Sequence, residues 1–204
     1  MKVVSYRDIG SYEENEDKQA QKTTYNGIEF RSKLEAKTAQ ALDNLGIEYE
    51  YEPQGYQLSN GMWYRPDFWL PYAGEFIECK GVMKNEDMAK IVGLVKDTDA
   101  PVVVISYNNS MLVSVDVDDP SNKFNICTGD EIGLLKCAEC GNTYFSGNCD
   151  SVFYCLPCRS CGNHDVRKLE LIDEVSDGQS LFIIGQNMAA DDPFYSALAA
   201  KFNG

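Results

Sequence analysis

The sequence has no apolar run that approaches the roughly 20 residues needed to cross a bilayer. Its first residues, MKVVSYRDIGSYEENEDKQ, turn acidic after a short apolar patch, which is unlike a secretory signal. These two absences predict a cytoplasmic protein that has no membrane partner.

Basic residues are also scarce, with 18 Lys and Arg against 32 Asp and Glu and a formal net charge of −14. Broad, non-specific binding to nucleic acid requires clustered Lys and Arg, so the composition argues against it. The excess acid lies mostly in the second half, where residues 97–204 carry 6 basic and 16 acidic groups. Residues 25–96 carry 8 and 11, so the charge does not exclude DNA as a partner of that segment.

Disulfides are not expected, because the eight cysteines belong to a chain that is predicted to be cytoplasmic. In a reducing compartment, clustered cysteines indicate metal binding instead. Six of them lie within 25 residues and mark a second module: Cys137, Cys140, Cys149, Cys155, Cys158 and Cys161.

The order of helical and strand patterns predicts a mixed α/β fold in which helices flank a central mixed sheet. RSKLEAKTAQALDNLG reads as a helix that Ser32 caps and Gly46 ends, and APVVVISY reads as a buried strand. Asn26-Gly27 and Asn60-Gly61 are hairpin signals. The predicted organisation is a flexible arm at 1–24 (in which MKVVSY can add an edge strand), a core at 25–118, a connector at 119–135, a cysteine module at 136–165, and strands and a helix at 166–204.

Two short motifs place charges among aromatic and aliphatic residues: Pro66-Asp67 in YRPDFWL and Glu78-Cys79-Lys80 in FIECKG. Side chains two apart on a strand share a face, so Glu78 and Lys80 point together while Cys79 faces the core. If the two strands pair antiparallel across the intervening turn, Asp67 lies beside Glu78. Two carboxylates at that separation repel each other unless a cation lies between them, and Mg²⁺ prefers such oxygen ligands.

The chemistry that suits such a site is phosphodiester hydrolysis, in which a metal polarises the phosphate and lowers the pKa of an attacking water. Lys80 can orient that water or balance charge in the transition state. Alternatively, Glu78 and Lys80 form an ordinary solvated strand face. We favour the catalytic interpretation, because Asp67 lies at hairpin distance and the flanking residues are apolar.

A third acid, Glu35, lies in the first turn of the predicted helix. In Ser32-x-x-Glu35 its carboxylate can accept a hydrogen bond from the backbone N–H of Ser32, which forms a capping box. The same side chain borders the helix face that packs on the sheet, so it can also reach the metal. The two roles are compatible.

Together, FRSKLEAKTAQAL, YRPDFWL and FIECKG resemble the PD-(D/E)XK nuclease superfamily, especially its small phage-type members. The superfamily's pattern of a helix glutamate, P-D and (D/E)-x-K is matched within residues 25–107 by Glu35, Asp67, Glu78 and Lys80. The resemblance implies a restriction-endonuclease-like core and a DNA endonuclease that uses Mg²⁺ or Mn²⁺, held by Glu35, Asp67 and Glu78. It admits branched or otherwise structured phage or host DNA as substrate, and the host cytoplasm as the location if a phage encodes the chain.

Basic side chains near the predicted site are candidates for contacts with DNA phosphates: Arg31, Lys33, Lys84 and Lys90. Each of them is also explained as an ordinary solvated helix charge. DNA is the expected partner. The resemblance also admits a homodimer, since many such nucleases cut both strands as dimers, and a phage or host protein.

The cysteine module contains two C-x-x-C-G turns, CAECG and CRSCG, which are typical of a Cys₄ zinc ribbon. The preferred zinc ligands are Cys137, Cys140, Cys158 and Cys161. CLPC is a competing pair in which Cys155 replaces Cys161, and Cys149 or His164 can also enter the site. We expect a closed, structural zinc site that positions DNA or a partner rather than one that takes part in catalysis.

Two other functional classes compete with the nuclease. The first is a catalytically silent nuclease fold that binds DNA or protein, but a scaffold has no need for converged acids and a lysine. The second is an acidic DNA-mimic inhibitor, which the net charge of −14 suggests. A mimic requires acids in exposed rows, whereas Asp67 and Glu78 lie among aromatic residues.

Overall fold

The computed structural model describes residues 2–4, 21–106, 110–115, 124–128, 132–149, 152–153, 157–163 and 169–171. These ranges contain two helices, α1 (Lys33–Asn44) and α2 (Asn85–Thr98). The strands are β1 (Lys2–Val4), β2 (Thr23–Tyr25), β3 (Ile28–Phe30), β4 (Glu50–Tyr51), β5 (Gly55–Gln57), β6 (Trp63–Tyr64), β7 (Phe68–Leu70), β8 (Glu75–Lys80), β9 (Val102–Ser106), β10 (Met111–Val115), β11 (Phe124–Thr128), β12 (Ile132–Cys137), β13 (Thr143–Cys149), β14 (Val152–Phe153) and β15 (Leu169–Leu171). Neither helix is long and apolar enough to span a membrane.

The central sheet has six strands in the order β11-β10-β9-β8-β7-β4. Strands β8 and β9 are parallel, whereas their neighbours pair antiparallel, so the sheet is mixed as predicted. All five residues of β9 are buried, which agrees with the continuous β-branched run in the sequence.

The two faces of this sheet carry separate hydrophobic clusters. On one face, Leu34 and Leu42 of α1 pack with Ile77 of β8. On the other face, Ile91 of α2 packs with Phe76 of β8. Because alternate residues of a strand point to opposite faces, one strand serves both helices, and the sheet is covered on both sides.

Several local predictions are confirmed. Asn26-Gly27 joins β2 to β3, and Asn60-Gly61 lies between β5 and β6. The edge-strand alternative for MKVVSY is also confirmed, because β1 pairs antiparallel with β5. The rest of the predicted arm from 5 to 20, SLFIIGQ and the C-terminal helix lie outside the described residues.

The segment 119–135, which is predicted to be a connector, instead supplies β11 and the beginning of β12. All five residues of β11 pair with β10 and extend the central sheet. The polar residues around this short strand hide it in the sequence, and its partner is an open sheet edge that exists only after folding. The domain boundaries themselves stay predictions.

The cysteine module packs against the core. Its strands form a second sheet in the order β14-β13-β12-β15. Phe145 and Cys158 belong to the same buried cluster as Phe68 of the central sheet. A Cβ atom at Gly147 of β13 would overlap the sulfur of Cys127 in β11. The two sheets therefore touch at a point where only a glycine fits.

Candidate active site and cysteine cluster

Strands β7 and β8 bring Asp67 and Glu78 together. Phe68 pairs with Ile77 in the antiparallel register, so Asp67, one residue earlier, lies opposite Glu78. The backbone N–H of Cys79 donates to Asp67 Oδ2 over 2.7 Å. Both carboxylates are buried, at 3% and 2% exposure. The hairpin places the two acids as the motif spacing predicts.

Lys80 lies on the same face as Glu78, and its Nζ atom is 2.9 Å from Glu78 Oε1. Burial opposes the charge on Lys80, but the carboxylates of Glu78, Asp67 and Asp87 outweigh it and raise the pKa of the lysine. Lys80 therefore stays protonated. Tyr64 of β6 lies beside the pair: burial, followed by the charge of Glu78, raises the pKa of its hydroxyl.

Cys79 lies between these two residues in the sequence, but its side chain is in the buried cluster on the α1 face. Its sulfur is 3.4 Å from the hydroxyl oxygen of Thr38 in α1. The thiol therefore points into the core and does not belong to the acidic site, as the alternation along the strand predicts.

Glu35 lies in the first turn of α1, where its backbone N–H donates to the capping Ser32 Oγ over 3.1 Å. The predicted return bond to the N–H of Ser32 is wrong. Glu35 Oε2 instead accepts from the backbone N–H of Arg31 over 3.1 Å and from the Tyr51 hydroxyl over 2.6 Å. The tyrosine, which packs on Phe30 and Phe68, holds the carboxylate at the sheet and away from the ordinary cap.

Arg31 lies within the acidic site, although the sequence suggests it only as a DNA contact. Its Nη2 atom is 2.6 Å from Asp67 Oδ1, and its Nε atom is 3.9 Å from Glu35 Oε2. The same Nε is 2.8 Å from Glu52 Oε1, and Arg65 Nη2 lies 2.9 Å from that oxygen.

Sequence reasoning missed Glu52, which in IEYEYEP looks like one of several glutamates on the solvent-facing side of a strand. Two features of its backbone distinguish it: a φ of 47°, and an N–H that donates to the carbonyl of Asp67 over 2.7 Å. This bend carries the side chain to the two arginines. No sequence signal marks this bend, because a residue before proline ordinarily adopts an extended backbone.

The acids and bases of the site are strongly coupled. Burial, followed by the charges of Glu78 and Glu35, raises the pKa of Asp67, and Arg31 and Lys80 lower it only in part. Glu78 Oε2 is buried and receives no hydrogen bond of normal geometry from the described residues. A divalent cation suits this donor set, because it would bind the free carboxylate oxygen and relieve the repulsion.

The three acids nevertheless do not converge as a complete metal cage. Within the described ranges, the cysteine cluster alone brings three or more ligand atoms within 4.8 Å of one another. Arg31 contacts both Asp67 and Glu35 and holds them in its own ion pairs. The other three predicted DNA contacts differ in their surroundings. Lys33 and Lys84 are exposed, whereas Lys90 forms an ion pair with Glu86 over 2.9 Å.

The four preferred cysteines form a compact cluster: Cys137, Cys140, Cys158 and Cys161. Sulfur–sulfur distances are 3.6 Å between Cys137 and Cys161 and 3.5 Å between Cys140 and Cys158. A tetrahedral site with Zn–S bonds of about 2.3 Å has sulfur atoms about 3.8 Å apart. The cluster is therefore compatible with zinc. Cys155, His164 and the side chain of Cys149 lie outside the described part of the chain.

The two C-x-x-C-G turns have the same backbone geometry. Gly141 donates its N–H to the carbonyl of Cys137, and Gly162 donates to that of Cys158, each over 2.7 Å. Both glycines have a positive φ, of 75° and 70°, which other residues rarely adopt. Burial opposes the thiolate of Cys137, but the N–H groups of Cys140 and Glu139 outweigh it and lower its pKa to about 6.

A buried carboxylate connects the module to the core. Glu75 of β8 is 0% exposed, and its Oε2 accepts from the backbone N–H of Phe145 in β13 over 3.0 Å. Burial raises the pKa of Glu75 to about 8, although the Phe145 N–H and Arg159 act against the shift. The buried hydroxyl of Tyr144 also lies near this carboxylate, and burial raises its pKa together with nearby charges that include Glu75.

Glu75 should make stability fall as pH rises. Its pKa is about 8 in the fold against an ordinary 4.5, so between these values the folded chain keeps a proton that the unfolded chain loses. The free energy of unfolding then falls by at most roughly 1.4 kcal/mol per pH unit in this window. Glu75→Gln should remove this slope, so urea denaturation of zinc-saturated protein should show its advantage over wild type growing from about pH 5 to about pH 8. The exposed Glu48→Gln should follow wild type; parallel profiles for Glu75→Gln and wild type would contradict the prediction.

Comparison with known proteins supports a nuclease of the phage type. Residues 16–111, slightly less than half of the chain, match the phage endonuclease I family. Over 65 residues the chain is 43% identical to Endonuclease I of Escherichia phage T7, which covers 30% of this chain and 42% of that protein. The match thus spans less than half the length of that relative.

Proposed function

We propose that this chain is a divalent-metal-dependent DNA endonuclease of the PD-(D/E)XK class. The observation that carries the proposal is the pairing of buried Asp67 and Glu78 at the β7–β8 hairpin, with protonated Lys80 beside them. The family match covers this hairpin and α1, which supports the assignment of the acids to phosphodiester hydrolysis.

The side chains that would hold Mg²⁺ or Mn²⁺ are Glu35, Asp67 and Glu78. When bound, such a metal supplies a polarised phosphate and a water of lowered pKa. Lys80, which its neighbours keep protonated, would orient the attacking water and stabilise negative charge on the phosphate as the transition state forms.

We assign the cysteine cluster to structural zinc. All four positions are filled by cysteine, which leaves no open position for a substrate or water. The module that carries these cysteines packs against the core, where its strand β13 is hydrogen-bonded to a side chain of β8. This position suits a role in holding the core together and presenting a surface to DNA. Lys33, Lys84 and Lys90 remain proposed phosphate contacts.

DNA that is branched or otherwise structured is the proposed substrate, from phage or host. The net charge of −14 favours recognition of DNA shape at one place over broad binding along duplex DNA. Purified zinc-loaded protein should cut at least one of supercoiled, linear, single-stranded or four-way-junction DNA with Mg²⁺ or Mn²⁺, and not when both cations are omitted. Gel electrophoresis of end-labelled strands measures this, and no cutting of any of these substrates would reject the endonuclease.

A catalytically silent module is the second candidate, because Arg31 already neutralises part of the acidic site. It predicts that junction DNA binds but stays intact in the same assay. The DNA-mimic alternative receives less support, because Glu35, Asp67 and Glu78 are buried rather than displayed in rows. A homodimer and a phage or host protein partner stay proposals that sedimentation of the DNA complex can test.

A further inference from the structure

We propose that Arg31 is an internal gate of the acidic site. It neutralises Asp67 and Glu35 until a divalent cation binds, and it then turns to a DNA phosphate. This inference rests on the proposed nuclease function, which it extends by linking metal binding to DNA binding through one side chain.

The contacts of Arg31 support the statement that it neutralises the acids and competes with a divalent cation. One guanidinium touches three carboxylates, at 2.6 Å from Asp67, 2.8 Å from Glu52 and 3.9 Å from Glu35. Two of these acids are the proposed metal ligands, so a cation that binds them must displace the positive charge already there. At an effective dielectric of about 20, two unit charges about 4 Å apart interact strongly enough for this competition to change metal affinity by tenfold or more.

The exposed fractions of the same side chains indicate which of them can move. The side chains of Asp67 and Glu35 are 4% and 6% exposed, whereas that of Arg31 is 33% exposed. The acids are held inside the site, whereas a third of the Arg31 side-chain surface is accessible to solvent. Arg31 is therefore the movable member of these ion pairs, and its release leaves the buried carboxylates in place for the metal.

Glu52 holds Arg31 beside a second arginine, and this arrangement supports the proposed turn of Arg31 to a DNA phosphate. Its Oε1 atom is 2.8 Å from Arg31 Nε and 2.9 Å from Arg65 Nη2. Once Arg31 leaves Asp67, its guanidinium lies beside that of Arg65 with Glu52 between them, and both offer the fork geometry that suits a phosphate.

Mn²⁺ titration by calorimetry, on full-length zinc-loaded protein without DNA, tests the gate. Arg31→Met should bind Mn²⁺ at least about tenfold more tightly than wild type, because the competing cation is gone. At saturating Ca²⁺, used in place of Mn²⁺, the same variant should bind junction DNA at least several-fold more weakly than wild type, as measured by fluorescence anisotropy, because the arginine that turns to the phosphate is gone. Asp67→Asn lacks a proposed metal ligand, so the Mn²⁺ binding that this variant keeps is binding elsewhere on the protein. That signal is subtracted from the other titrations.

Arg65→Met is the matched control, because Arg65 contacts Glu52 but makes no ion pair with Asp67. It should leave Mn²⁺ affinity within about twofold of wild type while weakening DNA binding. If Arg31→Met does not fold, Arg31→Gln serves, since it keeps a polar side chain at this position and carries no charge. Thermal denaturation confirms folding before each titration.

The outcomes separate the gate from a purely structural arginine. Equal Mn²⁺ affinity in wild type and both Arg31 variants overturns the gate, even if the enzyme cuts DNA. Absence of Mn²⁺ binding in wild type and Arg31→Met also overturns it. Tighter Mn²⁺ binding by Arg31→Met, together with no cleavage by wild type, supports the gate and rejects the nuclease.

Discussion

Asp67→Asn is expected to lower the DNA-cleavage rate by about 10²–10³-fold while leaving the fold intact. Asparagine keeps an oxygen that accepts from the backbone N–H of Cys79, so the hairpin retains its local hydrogen bond. It loses the negative charge that a divalent cation requires. Lys80→Gln should reduce cleavage by a similar factor, because it removes the positive charge beside Glu78.

The stability of Asp67→Asn separates catalysis from structure. Asp67 is buried beside Glu78 and Glu35, whose charges disfavour its own. Without metal, removing one of these like charges should leave the free energy of unfolding unchanged or raised. A site that costs stability while supporting activity is common in enzymes.

Single-turnover cleavage of junction DNA at saturating Mg²⁺ measures the rate, and urea denaturation measures stability. Glu48→Gln is the matched control, since Glu48 is exposed and should retain wild-type activity. Cleavage by Asp67→Asn within about threefold of wild type would remove Asp67 from the metal site. Loss of activity together with loss of folding would show a structural role instead.

Removal of metal from the cysteine cluster is expected to unfold the module and to expose the part of the central sheet that the module covers. Four sulfur atoms within 4.8 Å of one another repel as thiolates unless a cation binds them. Zinc binding to small zinc modules contributes about 10–16 kcal/mol, comparable to or larger than the total stability of a typical domain. Cys137 and Cys158 also belong to the main buried cluster, so the loss should spread into the core.

Purified protein should contain one zinc per chain by elemental analysis, and Cys140→Ser should contain much less. Hydrogen exchange then locates the damage: the Phe145 amide, which donates to Glu75, should lose protection on chelation. The exposed Lys136→Gln, in the same strand as Cys137, should keep both zinc and protection. Protein without stoichiometric zinc, or with an unchanged fold after chelation, would contradict this assignment.

Much of the fold is legible from local pattern. The alternation in FIECKG separates Cys79, which faces α1, from Glu78 and Lys80, which share the other face. Helix α1 ends near its predicted stop at Gly46 because capping depends on neighbours in the chain. The pairing of Asp67 with Glu78 follows from strand spacing across one short turn.

The parts that sequence reasoning missed depend on partners that no local pattern identifies. Strand β11 looks like a connector because polar residues surround it, although β10, with which it pairs, is the preceding strand in the chain. Tyr51 takes Glu35 from its expected cap because β4 pairs with β7, and Glu52 reaches Arg31 because the chain bends before Pro53. No periodicity encodes these contacts.

The sequence by itself determined the helices, the hairpins, the acidic motif and the two cysteine turns, since each depends on residues close together in the chain. Only the tertiary structure decided that Arg31 lies among the acids, that Glu75 joins the module to the core, and that the four cysteines meet. The physical reason is range. Backbone preference and side-chain alternation act between neighbours, whereas ion pairs and buried hydrogen bonds depend on which surfaces packing brings together.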